Sequence, residues 1–175
     1  MYPFMHKVIT RKTEKCKCMV RLMNHGKRNT CRSPIAEAVM IATIKKYHVY
    51  EDWEVDSAAI ADWHVGKEPN IRSMNIMKTY KLPYKNRARQ IKASDFNEFD
   101  YIFGMDLYNM AKLDACMPQG SKAKLLMLGE FGLPESDRII EDPYCARTDA
   151  AFEKVYQQCV VACEAFLQKA LANEI

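Results

Sequence analysis

The sequence predicts one α/β domain, a four-stranded parallel sheet with helices on both faces. Two observations carry that prediction. Short apolar runs alternate with longer stretches of helical periodicity along the chain, and strands that alternate with helices pack as a parallel sheet covered on each side. The composition is 49% hydrophobic and 27% charged, over 175 residues without an internal repeat or a glycine- and proline-rich linker. That suits one packed core and excludes disordered, collagenous and coiled-coil chains. A chain of this length needs neither a disulfide nor a metal to fold.

The elements follow in order. Met19-Val20-Arg21-Leu22-Met23 reads as the first strand. Ser33-Pro34 marks a helix start, with serine as the cap and proline in the first turn, and Ile35, Ala38, Val39 and Ala42 continue at helical spacing. Trp53 to Ala59 is the second strand. A helix is expected from about Pro69 to Tyr80, stopped by Leu82-Pro83. Asp100 to Met105 and Lys124 to Leu128 are the third and fourth strands. The final helix has the clearest pattern: Phe152, Val155, Tyr156, Cys159, Cys163, Phe166, Leu167 and Ala170 form one apolar stripe. Ligands of parallel sheets bind at the carboxyl ends of the strands, so the first strand-to-helix turn, His25 to Ser33, is where chemistry is expected.

Charge divides the chain unevenly. Residues 1–21 carry Lys7, Arg11, Lys12, Lys15, Lys17 and Arg21 against Glu14, a formal +5, and the remainder sums to −1. The expected organisation is therefore a basic N-terminal extension over 1–18 and a globular domain over 19–172. The globular part has no positive excess for a nucleic-acid partner. Pro3, Glu14 and the absence of serine argue against a mitochondrial presequence. No run of 18 apolar residues offers a membrane span. Seven cysteines, an odd number, without a secretory signal indicate reduced thiols and a cytoplasmic setting. Their spacing matches no zinc site, and no metal or cofactor is expected. The sequence does not specify an oligomeric state.

Cys31-Arg32-Ser33-Pro34-Ile35-Ala36-Glu37-Ala38-Val39 resembles the segment after the phosphate loop of the low-molecular-weight protein tyrosine phosphatases. Further matches follow in the same order at Val55–Ala59, Ala88–Ile91, Phe99–Ile102, Met105-Asp106, Ile139–Tyr144 and Val155–Cys159. The resemblance spans about residues 19–171. It implies a Cys-x5-Arg loop between a strand and a helix, in which a thiolate attacks phosphorus. Backbone N–H groups and the helix N-terminus cradle the oxygens, and an arginine grips two of them. A distant aspartic acid protonates the leaving oxygen.

Counting back from Arg32 places the nucleophile at position 26, which is Gly26. Glycine has no side chain with which to attack. Cys31 sits beside Arg32 and resembles the family's second loop cysteine. Arg28 stands where the family has glycine. Asn29, Cys31, Arg32 and Ser33 match the remaining phosphate-binding positions, and Asp142 matches the general acid. Trp63 and Tyr144 match aromatic positions of the substrate cleft, while Cys145 replaces an aromatic there. Asp106 matches an aspartate near the loop and would also serve as a helix cap. Tyr80 and Asn86 stand where the family often has histidines that brace the loop. The resemblance thus implies a phosphatase relative that lacks its nucleophile and is catalytically inactive or severely impaired. It would retain binding of phosphate, phosphotyrosine peptide or phosphoprotein. An active enzyme with a substitute nucleophile, or a purely structural interaction protein, are the alternatives.

Overall fold

A computed structural model describes residues 16–20, 31–59, 62 and 65–175. Four parallel strands, β1 (Cys16–Val20), β2 (Trp53–Asp56), β3 (Tyr101–Gly104) and β4 (Lys124–Met127), form one sheet in the order β2-β1-β3-β4. Five helices accompany them among the described residues: α1 (Arg32–Lys46), α2 (Ile71–Thr79), α3 (Asp95–Glu98), α4 (Leu107–Cys116) and α5 (Ala150–Leu171). The expected single-domain α/β fold is present. Its first strand as described, Cys16–Val20, holds Met19 and Val20 of the expected Met19–Met23, whose residues 21–23 lie outside the described residues, and it begins inside the stretch assigned to the basic extension. Its register is set by partners on both sides, Cys16 opposite Trp53 and Val20 opposite Phe103. Local alternation cannot decide between two overlapping windows when both neighbours are distant in sequence.

The two faces of the sheet bury different clusters because successive strand residues point to opposite sides. On one face Phe103 joins residues of α1, α2 and α5 in the larger core; on the other Ile102 joins Phe96, Phe99 and Leu113 beneath α3 and α4. The α5 stripe meets expectation: Phe152, Val155, Cys159, Cys163, Phe166 and Leu167 are buried, and Tyr156 and Ala170 pack at its margin. Phe166 is its centre. Its ring makes edge contacts with Trp53, Tyr101, Phe103 and Phe131 at centroid distances of 6.0, 5.2, 4.7 and 5.4 Å, the geometry aromatic quadrupoles favour.

Helix α1 is almost wholly buried over its first nine residues, which makes it the spine between sheet and α5. It starts one residue before the expected serine cap. Cys31 is the cap residue and contributes no side-chain bond, and Pro34 falls in the first turn, where helix amides have no intrahelical acceptor in any case. Its end carries no glycine signal. His48 takes the left-handed conformation (φ 59°) while Val49 N–H donates to the Ile44 carbonyl at 3.0 Å, a Schellman closure.

One glycine supports the site from below. A Cβ on Gly129 would stand 1.9 Å from the carbonyl oxygen of Arg138. The close approach lets the 138–142 segment lie against β4's exit. Gly129→Ala is expected to cost about 1–3 kcal/mol, the cost of overpacking against backbone. Urea denaturation measures it, and an unchanged midpoint would show that the segment is free to shift.

Candidate active site

Strand order reverses between β1 and β3, and the crevice outside the carboxyl ends at such a reversal is where parallel sheets bind ligands. Arg32 follows β1 through the connector, and Asp106 follows β3 directly. The fold brings them together: Arg32 Nη1 donates to Asp106 Oδ2 at 2.8 Å and to the carbonyl of Ile140. Arg32 is 3% exposed. A guanidinium that deep requires paired acceptors, because an unpaired buried charge is costly. Asp106 caps α4, as expected, and also pairs with Arg32. Its Oδ1 caps α4 by accepting from Asn109 N–H at 2.7 Å, and its Oδ2 holds Arg32. Asn109 in turn accepts from Met105 N–H at 3.1 Å.

Asp142 opens a short 3-10 turn, Pro143–Cys145, and accepts from Tyr144 N–H at 3.1 Å. The segment carrying it is held at three points. Ile140 N–H donates to the Met105 carbonyl at 3.0 Å, Gln158 on α5 donates to the Asp137 carbonyl at 2.8 Å, and Arg32 donates to Ile140. Burial pushes the Asp142 carboxyl up to about 6; the Arg32 charge opposes that and the Asp106 charge adds to it. Arg32, Asp106 and Asp142 therefore share one electrostatic site. A carboxyl with such a value is a competent proton donor near neutral pH.

The raised value has a sign for stability. The folded state favours neutral Asp142, so its contribution is complete below pH ~4 and is lost as pH rises through about 6. Asp142→Asn is expected to leave stability at pH 4 unchanged. Above pH 7 it should raise stability by about 1 kcal/mol, solvent screening included. Denaturation midpoints at the two pH values check this, and an equal shift at both would contradict it.

The other sequence-predicted positions divide. Cys31 and Ser33 are buried at the start of α1; the Cys31 carbonyl accepts from Ser73 Oγ on α2 at 3.0 Å. Tyr144 is half-buried against the larger core and Cys145 is exposed. Gly26, Arg28, Asn29 and Trp63 lie outside the described residues. β1 ends at Val20 and α1 begins at Arg32, which leaves eleven residues, 21–31, between them. Position 26 lies among residues 21–30, outside the described residues.

Tyr80 and Asn86 both form bonds, in different places. Tyr80 stacks on Tyr156 at 3.7 Å and donates to Glu153, tying α2 to α5. Asn86 donates to Glu37, a fully buried carboxylate on α1 that also accepts from Ser57 Oγ at 2.5 Å and Tyr84 at 2.9 Å. Burial pushes Glu37 up, and the three donors counter it. Glu37, Ser57, Tyr84 and Ser73 were not singled out from the sequence. Glu37 sits one position before Ala38 in an otherwise apolar helix start, and that acid inside a buried run was the one available signal.

Comparison with known proteins returns the same family as the residues. A family model described as "Low molecular weight phosphotyrosine protein phosphatase" matches residues 22–175. Low molecular weight phosphotyrosine protein phosphatase 1 of Drosophila melanogaster is 54% identical over 143 residues, covering 82% of this chain and 92% of the relative. The human low molecular weight phosphotyrosine protein phosphatase is 45% identical over 144 residues, covering 81% and 90%. The crystal structure of Primo-1 superposes with a TM-score of 0.84 at 51% identity, covering 89% of this chain and 99% of that one. No helix among the described residues is long and apolar enough to cross a membrane. With matches of this length and identity, and the same fold, the chain belongs to the low molecular weight phosphotyrosine protein phosphatase family.

Proposed function

We propose that this protein is a pseudophosphatase, a family member that binds a phosphate ester at the start of α1 and does not hydrolyse it at an enzymatic rate. The observation that carries the reading is Gly26, six positions before Arg32, where the family's reaction needs a thiolate. The binding half of the site supports retention. Arg32 is held at the helix start by Asp106 and the Ile140 carbonyl, and Asp142 lies within its field. A helix N-terminus with an arginine beside it favours an oxyanion. Asn29, Cys31 and Ser33 complete the proposed cradle, Trp63 and Tyr144 the proposed cleft walls, and a phosphotyrosine peptide or phosphoprotein in the cytoplasm is the proposed ligand.

The alternative, an active enzyme with a substitute nucleophile, lacks a candidate among the described thiols near the arginine. Cys31 is 1% exposed at the helix cap. Cys159 feels the Arg32 charge, but full burial pushes its thiol up to about 12, which leaves almost no thiolate at neutral pH.

Calorimetric titration with phosphate or vanadate tests the binding half. The parent is expected to bind and Arg32→Ala to lose ~10-fold or more in affinity, since a charge-assisted bidentate contact disappears. Arg32→Lys should recover only part, because an ammonium lacks the planar fork. Equal affinities for the parent and Arg32→Ala would remove Arg32 from the site and leave the purely structural reading.

A further inference from the structure

At the opposite end of the sheet from Arg32 there is a second feature, built by the edge strand β2. Among the described residues β2 is outermost in the sheet, with no strand paired on its other side. A groove of about 260 Å³ runs along it, lined by Ile41, Ile44, Tyr50, Glu51, Trp53 and Glu54. Ile41, Ile44 and Trp53 give it an apolar part, Trp53 being 7% exposed, and Tyr50 in its lining is 48% exposed. Its lip is acidic: Glu51, Asp52 and Glu54 are all exposed within four residues. Among the described residues neither Glu51 nor Asp52 forms an ion pair. Lys45 lies at the rim, its ammonium 4.9 Å over the Tyr50 ring.

Connectivity tethers a complementary segment at this end of the sheet. Cys16, the first residue of β1, is in register with Trp53, the residue that follows Tyr50, Glu51 and Asp52. The stretch preceding Cys16 is 15 residues long and holds Lys7, Arg11, Lys12 and Lys15 against Glu14, a formal +3, with Val8 and Ile9 between the cations. Fifteen residues reach up to ~50 Å when extended, so distance does not limit the encounter.

We propose that residues 1–15 of this chain dock in the acidic, aromatic-rimmed groove along the outer side of β2. Val8-Ile9 supply apolar surface for its apolar part, and Arg11, Lys12 and Lys15 face the acidic lip. Exposed ion pairs are individually weak. Tethering offsets this, because a short linker presents the segment at an effective concentration on the order of mM. The docked tail lies away from Arg32, Asp106 and Asp142, which sit beyond the carboxyl ends of the strands, so occupancy is independent of oxyanion binding.

Two measurements on the full chain test this. The first is the rate of tryptic cleavage after Arg11 and Lys12, followed by intact mass in low salt. The triple variant Glu51→Gln, Asp52→Asn, Glu54→Gln should be cut there ~5-fold faster or more than the parent. At 1 M salt, where the screening length falls to ~3 Å, the parent should approach the variant. Equal rates at low salt overturn the proposal. The second needs no variant, which covers failure of the triple substitution to fold. Zero-length carbodiimide coupling of the parent should join Lys12 or Lys15 to Glu51, Asp52 or Glu54 within one chain. Coupling mainly to other acids, or between light and heavy isotope-labelled chains in a mixture, overturns it; the latter assigns the groove to a second copy.

Discussion

Purified protein is expected to hydrolyse p-nitrophenyl phosphate 10⁴- to 10⁶-fold more slowly than an ordinary enzyme turning over at ~1 per second, the scale of loss when the nucleophile of a concerted site is removed. The reason is compositional at one position: Gly26 has no atom that can attack phosphorus. A proton donor does not compensate. Asp142, with its carboxyl raised to about 6, can protonate a leaving oxygen only as a nucleophile attacks phosphorus. The described thiols near Arg32 do not supply that nucleophile, since Cys31 and Cys159 are both buried. Turnover at ~1 per second would overturn the pseudophosphatase reading. Cys31→Ser and His25→Ala would then identify the replacement group.

The second large effect is a rescue. Gly26→Cys restores Cys-x5-Arg spacing to Arg32, and the acid is already within the Arg32 field. We expect this single change to give only ~10-fold over the parent. Arg28 stands at the position matched to the family's glycine, and if the phosphate-binding loop needs a left-handed conformation there, a non-glycine costs about 1 kcal/mol. Charge adds a second obstacle. Lys27 stands beside Arg28 and makes the segment after position 26 more basic than glycine there would. Gly26→Cys with Arg28→Gly should exceed the single variant by a further ~10-fold, a coupling of about 1.4 kcal/mol. Aryl phosphate turnover of parent, both single variants and the double decides it. If Gly26→Cys alone matches the double, sulfur was the whole defect and the strain argument fails. If neither cysteine variant turns over, the fault extends to the connector and to Cys145.

The sequence by itself determined the alternation of elements, the parallel sheet, the α5 stripe and the family, because each rests on periodicity or on runs of matching residues. Pattern is local, and burial of one face is enough to print it. It also marked Arg32, Asp106 and Asp142 individually, through matched motifs. Three things were decided only by the tertiary structure. The position of β1 depends on its register with Trp53 and Phe103, partners more than thirty residues away, and two overlapping windows alternate equally well. The ends of α1, α2 and α5 close through His48, Lys81 and Asn173 at positive φ, without the glycine that would mark them in a sequence. The joining of Arg32 to Asp106 and the Ile140 carbonyl, and the gathering of Ser57, Tyr84 and Asn86 around Glu37, are long-range events. A buried charge takes whichever acceptors and donors the packed chain delivers, and a linear pattern carries no record of that delivery.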